Sequence, residues 1–319
     1  MPTRPSCWPI GPRAAPRSLP PLGDPSALQL SAGDLGAVFL PRYGMLGASV
    51  RRRGIELLGR VEDLEASAAS GSTAGIPLLH PWANRLAGLS YRAAGREVRL
   101  DPASPLLRLD GRGLPIHGVS WAKLSWEVSD SSGSAAVARL DWTREDLLAV
   151  FPFPHRLELR VHLAPDSVTL ETSLSPIGDV AVPVAFGFHP YLRIPGLPRR
   201  EWRLRLPAMR RLVLDASGIP AGGEDSSPAF DGPLSDRSWD DGFALGDERA
   251  SFEVSGGAFA VSVDLLEGYR FAQLFAPAER DFIALEPMTA PTSALTTGRG
   301  LGLADAGGPY RAAFRIALH

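Results

Sequence analysis

The chain has 319 residues, 45% hydrophobic and 21% charged, with 33 basic against 35 acidic side chains and a formal net charge of -2. That is the composition of a soluble globular protein with a sizeable core, and it offers no bulk attraction to nucleic acid or to an anionic membrane. The single cysteine, Cys7, excludes an intramolecular disulfide framework and a cysteine-built metal centre, and it fits a reducing, cytoplasmic setting.

Residues 1–27 are rich in proline and arginine and carry no hydrophobic period, so they read as a disordered extension. Prolines interrupt any apolar segment there, and no signal peptide or membrane span is expected. From Leu28 the pattern changes to short apolar runs, LQLSAGD, GAVFLPRYG and LGASVRRRGIELLG, each bounded by turn residues. These read as strands. Val61–Ser70 has helical character, and the Gly71–Gly75 loop ends it.

Pro77 and Pro81 forbid a regular helix in Gly75–Gly88, a stretch that presents Trp82, Asn84 and Arg85. An aromatic face, an amide and a guanidinium suit a polyhydroxylated ligand, although a surface turn with a solvated Arg85 uses the same residues. Asn84 is the sole asparagine and Lys123 the sole lysine. Arginine is therefore the default cation of this chain, and its abundance says little about anion binding. His117 precedes Gly118, which places its imidazole at a strand end in a ligand-facing or a purely structural role.

Phe151–Leu163 has the clearest alternation, with Leu157, Leu159, Val161 and Leu163 on one face and Arg156, Glu158, Arg160 and His162 on the other. Ser167–Ser173 reads as its hairpin partner, and His155 and His162 are expected on the solvated face or edge. In Pro183–Gly196, Val184, Phe186 and Phe188 form a buried strand end, and His189 and Tyr191 sit where the strand leaves the sheet. Two short strands follow within 201–215, then a Gly, Pro and Ser-rich loop over 216–238. Ser238–Phe243 sets Asp240 and Asp241 beside two aromatics, and 251–275 resumes alternation. Glu286 ends an apolar strand and is fixed by Pro287. A carboxylate there is poised for partial desolvation, which raises its pKa toward the range of a general base, unless an arginine pairs with it. Tyr310–Leu318 alternates again and is expected to close the sheet.

There is no GxGxxG, P-loop, HExxH or GxSxG, no internal repeat and no strand-helix alternation. His80, His117 and His189 lack the short spacing of metal ligands, so no metal is expected. One large all-β domain over 28–319 is the economical reading.

The ordered series Asn84–Arg85, His117–Gly118, His189–Pro190–Tyr191, Asp240-Asp-Gly-Phe243 and Glu286–Pro287 resembles the aldose 1-epimerase (galactose mutarotase-like) family from about Leu28 to the C-terminus. The resemblance implies a large antiparallel β-sandwich with few short helices. Its concave face would bind a monosaccharide without metal or organic cofactor, in a monomer or homodimer. Glu286 corresponds to the family's general base and His189 to its general acid. Arg85 and His117 correspond to residues that hold the sugar, and Asp240 to a ligand-binding aspartate, with Asp241 one register step away. Asn84, Tyr191 and Trp82 are further substrate-binding candidates.

In that chemistry the base removes the C1 hydroxyl proton while the acid protonates the ring oxygen. In water an imidazole can be protonated near neutrality and a glutamate is ionised, so each group would start in the state its role requires. A non-catalytic carbohydrate-binding or regulatory protein on the same fold, or a glycosidase using Asp240 and Glu286, would employ the same residues. Leu192 and the MTAPTSAL loop after Pro287 depart from the family pattern. They leave the sugar open among glucose, galactose, another aldose, and a phosphorylated or sulfated sugar.

Overall fold

Apolar side chains at every second position need a second layer to cover them, and two large sheets meet that need. In the computed structural model, which describes residues 23–246 and 249–319, every pairing between extended strands is antiparallel. His155–Ala164 buries Leu157, Leu159, Val161 and Leu163 and exposes Arg156, Arg160 and His162. It pairs residue for residue with Ser167–Pro176 across the Pro165–Asp166 turn. Both belong to a nine-stranded sheet. Tyr310–Leu318 lies inside that sheet between Ser167–Pro176 and Phe259–Glu267, where it joins the two halves. Its buried Ala312, Phe314 and Ile316 explain the central position.

An eight-stranded sheet forms the other layer. Its order is Pro220–Ser227, Met209–Leu214, Trp239–Ala244, Phe271–Ala276, Ile283–Met288, Gly187–Phe188 and Leu78–Leu79, with Tyr191–Leu192 also on Ile283–Met288. Leu274 and Leu285 share one continuous apolar cluster with the nine-stranded sheet, and Phe188 packs on Phe314 with ring centres 5.1 Å apart. A smaller sheet contains Leu28–Ala32, Leu35–Leu40, Leu46–Arg52 and Ile55–Glu56. The architecture is an all-β antiparallel sandwich with few, short helices. Leu64–Ser70 is one of these; the Asp63 side chain accepts from the Ala66 amide at its start, and Gly71 ends it in the left-handed region at φ 68°.

Residues 1–22, Cys7 among them, lie outside the described residues, which leaves most of the expected disordered extension outside them too. Its last residues form a turn in which the buried Asp24 accepts from the backbone amides of Ser26 and Arg42. The stretch 216–238 is not a single loop. Pro220–Ser227 and Phe230–Pro233 are strands of exposed, mostly small or charged residues at sheet edges, and they bury too little to print an apolar period. Among the described residues no helix is long and apolar enough to cross a membrane.

The expected position of His155 is corrected: its side chain is buried, in phase with Leu157 and Leu159. Its Nδ1–H donates to the Phe153 carbonyl at 2.6 Å, so its Nε2 accepts from His80 Nε2–H at 2.9 Å. Burial holds His155 down at about 4 and His80 well below its ordinary value. Unfolded, both take a proton near pH 6.5, roughly the free imidazole value. Their contribution to stability is therefore complete above that pH and is lost as the pH falls toward 4, by about 1.4 kcal/mol per pH unit for each group. Urea unfolding between pH 7 and pH 5 should show this slope, and His155→Gln should remove one group's share. Equal slopes in the two proteins would contradict the account.

Candidate active site

Glu286 stands in Ile283–Met288, a strand buried along its whole length. In register beside it is Gln273, whose Nε2 donates to Asp240 Oδ1 at 2.7 Å. The two-residue period of these strands sets Asp240, Gln273, Phe275 and Glu286 around one cleft while Leu274 and Leu285 enter the core. Gly187 and Phe188 bring His189 alongside. A Cβ on Gly187 would lie 2.6 Å from the Pro287 carbonyl, so this approach requires glycine. The His189 Nε2 then sits 3.2 Å from Glu286 Oε1. Tyr191 stacks on the imidazole at 4.3 Å, and its hydroxyl hydrogen-bonds Thr73 Oγ1 at 2.6 Å.

Loops complete the cleft, which encloses about 240 Å³. Arg60, Asn84 and His117, which line it, have left-handed backbone angles of 54°, 55° and 65°. Such strain on residues other than glycine collects where a side chain must be aimed. Gly118, at φ 66°, is obligatory, because a Cβ there would lie 2.2 Å from the His80 carbonyl. The His117 amide donates to the Asn84 carbonyl and the Val119 amide to the His80 carbonyl, each at 2.8 Å, which ties the two loops together. Arg85 is fixed by Asp110 at 2.7 Å and donates to Asn84 Oδ1 at 3.2 Å.

Burial dominates the electrostatics. It pushes the Glu286 carboxyl well above its ordinary value, Asp240 adds to the shift, and Arg85 opposes it. Burial pushes His189 well below its ordinary value, with His117 and Arg60 adding to the shift. His117 is held down at about 3 by burial, then by Arg108 and Arg85. Burial thus opposes the charges that Glu286 and His189 would each carry in water. Desolvation disfavours a second proton on His189 and the loss of the last proton from Glu286, so the pair holds a single proton across the 3.2 Å contact. Glu286 Oε2 and His117 Nδ1 are buried without a partner in the protein.

Of the residues proposed from the sequence, Asn84, Arg85, His117, His189, Tyr191, Asp240 and Glu286 all line the cleft. Trp82 does not. Its side chain is 1% exposed and packs in the core near Tyr91, because the chain turns over between Trp82 and Asn84. Strand alternation puts Asp240 in the cleft and leaves Asp241 3.7 Å from Arg211. Arg60, Thr73, Arg108, Gln273 and Phe275 also line the cleft and were not singled out. Gln273 had a usable signal, since it interrupts the apolar run Phe271–Ala276. Among the described residues, no three His, Cys, Asp or Glu side chains are grouped so as to hold a metal ion.

The chain is 26% identical over 262 residues to the uncharacterized protein YihR of Escherichia coli (strain K12), covering 76% of this chain and 80% of that one. Its fold is similar to that of a galactose mutarotase-like protein from Clostridium acetobutylicum, with a TM-score of 0.80, 14% identity, and coverage of 92% of this chain and 95% of that one. The Slr1438 protein from Synechocystis sp. PCC 6803 gives a TM-score of 0.75 at 22% identity, covering 97% and 99%. The family model for aldose 1-epimerase matches residues 28–317, and the chain belongs to that family.

Proposed function

We propose that this protein is a cofactor-independent aldose 1-epimerase that interconverts the α and β anomers of a monosaccharide. The observation that carries this reading is the 3.2 Å contact between His189 and Glu286 in a cleft that removes both from water. With the proton they share on His189, across the 3.2 Å contact, Glu286 takes the proton of the C1 hydroxyl while His189 delivers its own to the ring oxygen, and the C1–O5 bond breaks. Rotation about C1–C2 presents the other face of the aldehyde. On reclosure His189 recovers the proton from the O5 hydroxyl and Glu286 returns one to the new C1 oxygen. The protein ends as it began, and no covalent intermediate is needed.

The surrounding groups hold the sugar in place during this exchange. Arg85, kept rigid by Asp110, offers guanidinium N–H donors, and Asp240, braced by Gln273, offers carboxylate acceptors. His117, with its value down at about 3, meets the ligand as a neutral imidazole. Tyr191, pushed up to about 12 chiefly by burial, stays protonated and stacks beneath His189 to fix its orientation.

The first test is polarimetry or NMR exchange on freshly dissolved α-anomers of several aldoses. The wild type should accelerate anomerisation, and Glu286→Gln should lower kcat by about 10²- to 10⁴-fold, the usual worth of a general base. Sugar binding without acceleration would instead favour a non-catalytic carbohydrate-binding protein.

The pH profile follows from the shared proton. Activity is lost at low pH when the pair takes a second proton, and at high pH when the last proton leaves. Burial disfavours both charged forms, so the low-pH limb moves down and the high-pH limb moves up. The kcat/KM should stay flat through about pH 6.5, where a free imidazole would lose its proton. A falling limb centred there would contradict the shared-proton account.

A further inference from the structure

The cleft has a second end that the reacting pair does not use. Arg60 and Arg108 line it together with Ser72 and Thr73. Arg85 has Asp110 as its counter-ion, but Arg60 and Arg108 form no ion pair among the described residues. The Arg60 Nε is buried without a hydrogen-bond partner. Its guanidinium lies over the rings of Tyr191 and Phe282, 5.3 and 5.9 Å from their centres, which holds the planar group still without neutralising it. Arg60 acts on His189, and Arg108 on His117, closely enough to disfavour protonation of each ring. Asp240, Gln273, Asn84 and Arg85 belong to the opposite end, where they also line an adjoining cavity with Arg112 and Asp215.

Two uncompensated guanidiniums in one small cleft make a poor site for a neutral sugar. They make a good one for an oxyanion, which guanidinium groups bind through paired N–H donors. The chemistry of the ring fixes where that anion must be attached. His189 meets the ring oxygen O5, and the carbon next to O5 on the side away from C1 is C5, which bears the exocyclic C6. A substituent on C6 would therefore fall beside His189, whose ring stacks on Tyr191, and Tyr191 in turn carries the Arg60 guanidinium 5.3 Å from its ring centre. We propose that the substrate is an aldohexose carrying an oxyanion on C6, as a phosphate ester, a sulfonate or a carboxylate, and that Arg60 and Arg108 bind that oxyanion. This rests on the epimerase reading above.

The test compares kcat/KM for anomerisation of neutral glucose and galactose with glucose 6-phosphate, 6-deoxy-6-sulfoglucose and glucuronic acid, in the full-length wild type, Arg60→Gln, Arg108→Gln and Arg108→Lys. In the wild type at least one C6 anion should exceed its neutral parent by about 100-fold, the worth of two charge-assisted hydrogen bonds. Which anion wins identifies the source of the charge. Arg60→Gln and Arg108→Gln should each cut the anion-to-neutral ratio about tenfold, mainly through KM, and Arg108→Lys should restore part of it. A purely structural arginine would lower both substrates together and leave the ratio unchanged, which would overturn the assignment. Glu286-dependent turnover of neutral aldoses with no anion preference would overturn this inference and leave the epimerase reading standing. No acceleration of any sugar by the wild type would overturn both.

Discussion

A carboxyl and an imidazole that are both shut off from water cannot each carry a charge freely, and the cleft is built around that constraint. Glu286 and His189 are 3% and 4% exposed and touch each other at 3.2 Å. Each is the nearest compensation the other has, so the pair is held in a one-proton form, the form from which the proposed ring opening starts. Geometry has to be strict for this to work. The required closeness explains why Gly187 lacks a side chain against the Pro287 carbonyl. It also explains why Gln273 lies in register beside Glu286 and restrains Asp240, the one nearby carboxylate that raises the Glu286 pKa further.

Support for the cleft reaches back into the core through a short chain of contacts. The His155 imidazole is pinned by the Phe153 carbonyl and stacks on Trp142, and it holds His80 by a 2.9 Å hydrogen bond. The His80 carbonyl in turn receives the Val119 amide and fits against Gly118, which leaves His117 in its left-handed conformation at the cleft wall. Strain at Arg60, Asn84 and His117 persists because such contacts leave the loops no relaxed alternative. The buried histidine pair is thus a structural support whose effect reaches the wall of the cleft.

Much of this was legible in the sequence because period-two alternation and punctuation by proline and glycine carry the information directly. Glu286 before Pro287 and His189 after an apolar run read as strand-end residues, and the resemblance to the aldose 1-epimerase family is what assigned both to one cleft. Other features hide for physical reasons. Pro220–Ser227 is an edge strand that buries little, so composition alone reads it as a loop. Arg60 and Arg108 are lost among 33 basic residues of which a single one is lysine. Trp82 has the right chemistry for a sugar platform, but a turn of the chain between it and Asn84 sends it inward. The alternation did contain the answer for His155, which shares the phase of Leu157, and a polar name outweighed the pattern.

The two ends of the cleft are electrically coupled. Arg60 disfavours a proton on His189, and Arg108 reinforces the neutrality of His117. An oxyanion seated on these guanidiniums would cancel much of that field. The proton shared by Glu286 and His189 would then move toward the imidazole, which leaves Glu286 ionised and His189 protonated, the arrangement in which base and acid both act. Binding of the charged group would therefore prepare the reacting pair as well as hold the sugar. A neutral aldose would meet the same residues with the imidazole still held back from its proton by Arg60. On this account the arginines select substrate twice, once by direct contact and once by setting the protonation state in which ring opening begins.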